Sequence, residues 1–325
     1  MSDKQYIYAV ARIRAKEMHL LTGGFMEQLI AAKSPGECLQ LLLDKGWGDG
    51  QVNGVDRFEE ILSIERKKTW DLMDELMDDL SPFDVFLYSN DYHNLKAAIK
   101  EVCTGTDYEG IFISQGTIEP EVIFKAIEER DYSLLPERMR PVAKEAFDTL
   151  LHTRDGQLCD IMVDKAALEA IYEAGYATKN PILSLYGELT VVTADLKTAV
   201  RAQRTGKDMA FLKKSLAPCK TLDINALMAA AVDSFDAIIK YLSSTKYADG
   251  AEELKKSPSA FERWGDNLII RAIRPEIHHP FTLGPLAAYV LARENEIKTV
   301  RIVLSGKIND MPEDSIRERV REMYV

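Results

Sequence analysis

The sequence contains no long hydrophobic run. Nowhere do about 18 uncharged apolar residues, roughly the minimum for a transmembrane helix, follow one another. Arg12, Arg14 and Lys16 interrupt the apolar residues near the N-terminus, so this stretch does not have the pattern of a signal peptide. The sequence therefore predicts a protein without a membrane span.

Cysteine is scarce and positive charge is in deficit. The four cysteines, Cys38, Cys103, Cys159 and Cys219, lie singly and far apart, which excludes a compact disulfide framework and is typical of a reducing cytoplasm. Lys and Arg total 41 against 52 Asp and Glu, giving a formal net charge of −11. Such a chain repels phosphate backbones, so we expect no nucleic-acid partner.

Motifs for catalysis or nucleotide binding are missing as well. The nearest approach is Thr-Gly-Lys at 205–207, but a phosphate loop needs a first glycine where this chain has Arg201 and a hydroxyl where it has Asp208. The apolar residues of 195–200 have helical spacing, so we predict that Gly206 ends a helix. The segment is therefore not expected to bind ATP.

Histidine offers no metal site in this sequence. His278 and His279 are adjacent, so their side chains point different ways, and no His-x-x-x-His pattern or nearby cysteine completes a ligand set. No Gly-x-Ser-x-Gly motif or ordered catalytic triad is present. These patterns therefore indicate no catalytic residue, no cofactor site and no metal site.

What the sequence does contain is helix signals along nearly its whole length. Ser34, Ser81, Asn180 and Ser257 each precede a proline, the arrangement of a capping residue followed by proline at the first helical position. Glu37 adds the acidic residue of a capping box to the first of these. Alternating strand patterns are rare, and the best of them, at 188–194, lies inside a helical run. The predicted fold class is all-α.

A short pattern recurs three times at a regular interval. Leu95, Leu196 and Ile297 are spaced 101 residues apart, and each is followed by a lysine (Lys96, Lys197, Lys298) and later by a glycine (Gly105, Gly206, Gly306). This period is too long for a solenoid repeat and suits a small helical domain present in three copies. We predict helical repeats at 1–110, 111–211 and 212–325.

Three segments resemble a known family. They are YAVARIRAKEMHLLTGG at 8–24, YSNDYHNLKAAIK at 88–100 and, most specifically, ARENEIKTVRIVLSGKINDMPEDSIRERVREMYV at 292–325. They are similar to the C subunit of the archaeal and bacterial V-type ATP synthases, whose eukaryotic counterpart is the d subunit of the vacuolar ATPase. The resemblance extends over essentially the whole chain, and it is weakest around 104–117.

The resemblance implies a non-catalytic component of a rotary motor. It implies an all-α, funnel-shaped protein of three similar subdomains around a pseudo-threefold axis, which agrees with the interval of 101 residues. Such a protein lies on the cytoplasmic face of the membrane rotor ring, holds the lower end of the central shaft made by the D and F subunits, and transmits torque. The family has no cofactor and no catalytic residue.

The best-matching segment and the residues just before it supply our candidates for contact with the shaft. They are Arg271, Arg274, Arg293, Glu294, Glu296 and Arg301. The alternative for the same residues is that they form ion pairs between the repeats.

Two other functions remain open at this stage. A helical scaffold or adaptor unrelated to rotary motors would explain the composition and the repeats, though not the matching segments. A helical enzyme acting on a small molecule would need a pocket with convergent polar groups, and no sequence motif indicates such a pocket. The choice between proton and sodium transport depends on the ring and is also open.

Overall fold

A computed structural model describes residues 3–51, 54–106, 109–280 and 282–325. Of these residues, 75% are helical and none lies in a strand, which confirms the all-α prediction. The α-helices, in chain order, are α1 Asp3–Glu17, α2 Gly23–Ala31, α3 Pro35–Asp44, α4 Phe58–Leu76, α5 Asp84–Thr104, α6 Pro120–Glu128, α7 Arg140–Thr153, α8 Gly156–Ala177, α9 Pro181–Arg204, α10 Met209–Ser215, α11 Ile224–Asp233, α12 Phe235–Ser243, α13 Ala248–Lys256, α14 Pro258–Ile273, α15 Gly284–Ile308 and α16 Glu313–Arg317. Short 3-10 helices lie at Val55–Arg57, Ser81–Phe83, Tyr132–Leu134 and Arg274–His278.

Most of the predicted helix starts are confirmed. The side chains of Ser34, Asn180 and Ser257 accept hydrogen bonds from backbone N–H groups in the first turns of α3, α9 and α14. Ser81 is different, because it begins a 3-10 helix and α5 starts only at Asp84, where no side chain caps the helix. The α-helix predicted to follow Ser81 therefore begins three residues later, at Asp84.

The Thr-Gly-Lys segment follows a helix, as predicted. Residues 195–204 form the last turns of α9, and Gly206 has a φ of +64°, a left-handed conformation that glycine adopts without strain. The strand-like stretch at 188–194 is also part of α9. The local geometry of a phosphate loop, which needs a strand before the turn, is therefore not present here.

The chain divides into two compact units by its internal contacts. Unit 1 is Met1–Leu80 together with Glu252–Val325, and unit 2 is Ser81–Ala251. The core of unit 1 includes Leu29, Leu62 and Val300, drawn from α2, α4 and α15, and the core of unit 2 includes residues of α5, α6, α7 and α8. This division into two units does not test the three predicted repeats, whose boundaries are at 110 and 211 and which stay a prediction.

The helix order repeats along the chain. Two shorter helices followed by two long ones occur as α2 to α5 and as α6 to α9, and again as α11, α12, α14 and α15, with α13 inserted. Leu95, Leu196 and Ile297 are each fully buried on the second long helix of their set. The sequence interval of 101 residues thus marks residues in matching helices.

The correspondence does not extend to the third glycine. Gly105 and Gly206 both have left-handed φ values just after a helix, whereas Gly306 lies inside α15. A Cβ atom at Gly306 would come within 2.7 Å of the Ile316 side chain, so the glycine permits close packing of the segment after α15. Gly306 is therefore a packing residue and does not end its helix.

Candidate contact region and its ion pairs

The six candidate residues lie in unit 1, on and just before its longest helix. Arg271 is in the last turn of α14 and Arg274 opens the 3-10 helix that follows. Arg293, Glu294, Glu296 and Arg301 lie on α15, a 25-residue helix that has buried residues around most of its circumference. The candidates therefore lie on α15, on the end of α14 and on the 3-10 helix between them.

Arg293 and Glu296 are buried, with exposed fractions of only 6% and 1%. The Arg293 guanidinium donates to Glu65 on α4 and to Glu296, each at 2.5 Å, and its carbon lies 5.2 Å from the centre of the Trp47 ring. Glu296 also accepts a hydrogen bond from the backbone N–H of Leu21. These groups join α15 to α4 and to the segment before α2.

Burial has a clear electrostatic consequence in this network. Burial raises the pKa of the Glu296 carboxyl to about 7, while the positive charge of Arg293 and the Leu21 N–H oppose that rise. A buried carboxylate without a cation would be costly, so Arg293 is the group that makes this arrangement stable. Arg293 and Glu296 thus support the helix packing from inside.

The other four candidates are exposed or half-buried, and each is paired within unit 1. Glu294 accepts a bidentate pair from Arg66 at 2.9 and 3.0 Å, and Arg301 donates to both oxygens of Glu59 at 2.8 and 2.9 Å. Arg271 and Arg274 both pair with the Glu322 carboxylate, Arg271 through its Nε at 3.0 Å. All six candidates therefore form ion pairs. Those of Arg293, Glu294 and Arg301 join the segments predicted as the first and third repeats, whereas Arg271 and Arg274 pair with Glu322 within the third.

The chain's last residues are anchored to the same region. Arg274 donates to the Met323 carbonyl at 2.8 Å, and Asn295 on α15 donates to the Glu322 carbonyl at 2.9 Å. Asp266 on α14 accepts from both Lys298 and Arg321, at 2.5 and 2.8 Å. Charged side chains and the amide of Asn295 thus hold the C-terminal segment against α14 and α15.

Sequence reasoning did not identify Glu65, the partner of Arg293. Glu65 is 4% exposed and lies on the apolar face of α4, in register with Ile61 and Leu72. A carboxylate at an apolar position of an amphipathic helix was the available signal, because a buried acid needs a cation or several donors. Glu59 and Glu322 gave no such signal, since they are exposed or half-buried.

The described residues hold no cluster of three or more His, Cys, Asp or Glu side chains arranged to bind a metal. His279 contacts Glu276 through Nδ1 at 3.1 Å, and His278 ends the 3-10 helix beside it. In the described part of the chain no helix is both long enough and apolar enough to cross a membrane.

An all-helical protein whose charged groups bind its own helices to one another has the character of a structural component. Comparison with known proteins defines it further. The family model for the ATP synthase (C/AC39) subunit matches residues 9–319, so the chain belongs to that family. It is a non-catalytic component of a rotary ATPase complex.

Relatives match over nearly their full length. The V-type ATP synthase C subunit of Thermus thermophilus is 26% identical, over 98% of this chain and 99% of the relative. The A-type ATP synthase C subunit of a Desulfurococcus species is 25% identical, over 98% and 91%. The V-type sodium ATPase C subunit of Enterococcus hirae is 22% identical, over 96% and 97%. The family resemblance expected from three sequence segments is thereby confirmed.

Proposed function

We propose that this chain connects the central D–F shaft of a V-type ATPase or ATP synthase to the membrane rotor ring. It lies on the cytoplasmic face of the membrane and transmits torque between ion flow and ATP chemistry. The observation that carries the proposal is the match to the C/AC39 family over residues 9–319. A scaffold or adaptor outside rotary motors would not be expected to match along this whole length.

The internal construction of unit 1 suits a part that transmits torque. Such a part has to resist deformation, and close-packed helices joined by buried ion pairs do so better than loops. Arg293 links α15 to α4, and Asp266 and Asn295 link the C-terminal segment to α14 and α15. Movement of one helix would therefore require movement of its neighbours.

Within the candidate set, the exposed members are the ones available to a partner. Arg271 and Arg274 have side chains that are 52% and 44% exposed, although Glu322 holds both. We assign the shaft contact to these two together with Glu294 and Arg301, and a supporting role to the buried Arg293 and Glu296. Charged contacts of this kind favour correct partner choice while leaving the free protein without a large apolar patch.

The test compares the complex reassembled with and without this chain. Without it, the catalytic head should still hydrolyse ATP, while ATP-driven ion transport should be lost. Transport at the normal rate in a complex that lacks the chain would rule out the coupling role.

A charge-reversal pair tests the contact itself. Arg271→Glu with Arg274→Glu should weaken binding of the purified D–F shaft by about tenfold or more, because charges at a contact are repelled when reversed. Lys255→Glu with Lys256→Glu is the matched control, since it makes the same charge change and also breaks exposed ion pairs of unit 1. Equal shaft affinity for both double variants would remove Arg271 and Arg274 from the contact.

A further inference from the structure

Unit 1 contains a cavity of about 340 Å³ that has no part in the proposed function. Its walls come from the segments that end α1 and α3, from the middle of α4 and from the first half of α15. Pockets for small molecules have volumes of roughly 300–1,000 Å³. The cavity therefore has the size of a site for a small ligand.

The carboxylate that lines this cavity already has hydrogen-bond donors at both of its oxygens. Glu65 Oε1 accepts from Lys68 Nζ at 2.7 Å and from the Gly48 N–H at 2.8 Å. Its Oε2 accepts from the Arg293 guanidinium at 2.5 Å. Glu65 is the one Asp or Glu among the lining residues that the structure describes. The cavity therefore offers no unpaired carboxylate to a ligand.

Two of the four lysine and arginine side chains around the cavity are used by the same network. Lys68 donates to Glu65 and to two backbone carbonyls of the turn after α3. Arg293 donates to Glu65 and to Glu296. The charges of these two cations are thus offset by the two carboxylates, and they contribute little to the binding of a further anion.

The other two cations and two buried donors remain without partners. Lys16 and Lys45 are exposed and form no ion pair within the described residues, and Lys45 Nζ lies 5.3 Å from the centre of the Phe25 ring. Tyr289 and Trp47 are only 6% and 4% exposed and line the cavity. Neither the Tyr289 hydroxyl nor the Trp47 indole N–H has a hydrogen-bond partner in the part of the chain that the structure describes. Because buried polar groups are hydrogen-bonded in most native structures, two such groups at one cavity point to a ligand.

We propose that this cavity binds a small oxyanion of the phosphate class. Lys16 and Lys45 supply two uncompensated positive charges at its mouth, and Tyr289 and Trp47 donate hydrogen bonds from its buried wall. A phosphate group matches two charges and four donors, because it carries up to about two negative charges and at least three acceptor oxygens. A single carboxylate has one charge and two oxygens. The proposal is independent of the role in the rotary complex, since it concerns a ligand of the chain itself.

NMR of the indole N–H groups in the full chain tests the binding directly. The chain has three tryptophans, so the Trp47 signal is identified by its absence in Trp47→Phe. Inorganic phosphate at pH 7 and constant ionic strength should shift this signal saturably and leave that of Trp264, on α14, in place. Glycerol phosphate is the second probe, because tighter binding of one of the two identifies the source as free phosphate or a phosphate ester. No saturable shift with either, or an equal shift with succinate or chloride, would overturn the proposal.

Removing the two unpaired lysines should weaken the binding. Lys16→Met with Lys45→Met removes two charges, and the dissociation constant for phosphate should rise by about tenfold or more. Lys255→Met with Lys256→Met is the matched control, since it removes two exposed lysines of unit 1 that do not line the cavity. The control should keep the parent affinity. Equal affinity of the two double variants would overturn the proposal.

Tyr289→Phe separates a hydroxyl that binds a ligand from one that supports the fold. Since this hydroxyl has no partner in the described residues, the melting temperature without phosphate should stay unchanged. Phosphate should bind about tenfold more weakly and raise the melting temperature less than in the parent chain. Tyr324→Phe is the control with the opposite expectation, a lower melting temperature and unchanged affinity, because the Tyr324 hydroxyl donates to Glu17 at 3.3 Å. If Tyr289→Phe behaved as this control is expected to, the proposal would be overturned.

Discussion

In unit 1, Glu296 lies directly before Ile297 on α15; in unit 2, Asn94 and Asp195 lie directly before Leu95 and Leu196 on α5 and α9. All three polar side chains are buried. Each accepts a hydrogen bond from a backbone N–H. The donor lies in the segment just before the first helix of one of the three helix sets, which begin at α2, α6 and α11. The donors are Leu21 before α2, Ile113 before α6 and Ala217 before α11.

The three positions offset the cost of burying a polar side chain in different ways. Asn94 is uncharged and uses both ends of its amide, with Oδ1 accepting from the Ile113 N–H and Nδ2 donating to the Ile113 carbonyl, each at 2.8 Å. Glu296 has the cation of Arg293. Asp195 has neither, and its Oδ2 has no hydrogen-bond partner in the part of the chain that the structure describes.

The pKa values follow from this difference. Burial raises the pKa of Asp195 to about 8, and the Ala217 N–H opposes that rise only in part. Asp195 is therefore held as the neutral acid at pH 7. The same kind of backbone N–H is thus bound by an amide at Asn94, by a neutral carboxyl at Asp195 and by an ion-paired carboxyl at Glu296. Each of the three depends on a different interaction for its stability.

The largest expected effect is at the ion pair. Arg293→Met should reduce the free energy of unfolding by about 3–5 kcal/mol, because Glu296 is left buried without a cation, while Glu65 keeps only Lys68. Urea unfolding at pH 7, followed by circular dichroism, measures the loss. Arg66→Met is the matched control, since Arg66 also joins α4 to α15, through Glu294, but at a site about one-third exposed. It should cost less than about 1 kcal/mol, and equal losses for both variants would show that burial of the Arg293 pair is not decisive.

The next effect depends on pH and has the opposite sign. In the folded protein Asp195 keeps its proton up to about pH 8, whereas in the unfolded chain it ionises near the ordinary value of 3.8. Between these values the folded state binds one more proton, so stability falls as pH rises, by at most about 1.4 kcal/mol per pH unit. Asp195→Asn removes this loss.

The variant should therefore gain stability over the parent as pH increases. The difference in free energy of unfolding should widen from pH 5 to pH 8, by up to about 4 kcal/mol, and then remain constant. Unfolding curves at several pH values measure this. A difference that does not change across this interval would show that Asp195 is ionised in the folded state.

The sequence was sufficient to predict the fold class and the matching buried positions. Leu95, Leu196 and Ile297 could be aligned because apolar helical spacing is a local signal. The third glycine, Gly306, was misleading, since it lies inside α15. The same local reasoning placed the caps at Ser34 and Asn180 correctly. These features depend on residues within one or two helical turns.

The candidate contact residues could not be sorted in this way. Arg293 and Arg301 lie on the same helix among similar charges, yet one is buried and the other exposed. The difference is set by α4, whose Glu65 is 228 residues away from Arg293 in sequence. Because burial of a charged residue depends on such distant packing, only the structure separates the supporting members of the six candidates from the surface members.

The smallest of the three effects concerns the uncharged position. Asn94→Asp keeps the acceptor for the Ile113 N–H but loses the donor to the Ile113 carbonyl, leaving that carbonyl without the bond and facing a carboxyl oxygen. The loss should be about 1–3 kcal/mol in the free energy of unfolding. It should grow as pH rises above 4, because the new buried carboxyl would either ionise at a cost or hold its proton as Asp195 does.

Asn90→Asp is the control, since Asn90 also donates to a backbone carbonyl, that of Gln115 at 2.6 Å, but Asn90 is only partly buried. Unfolding at pH 5 and pH 8 measures both variants. If both variants lose the same free energy of unfolding at pH 5 and at pH 8, burial does not distinguish Asn94 from Asn90. Asn94 would then share only its position in the fold with Asp195 and Glu296, and not their dependence on burial.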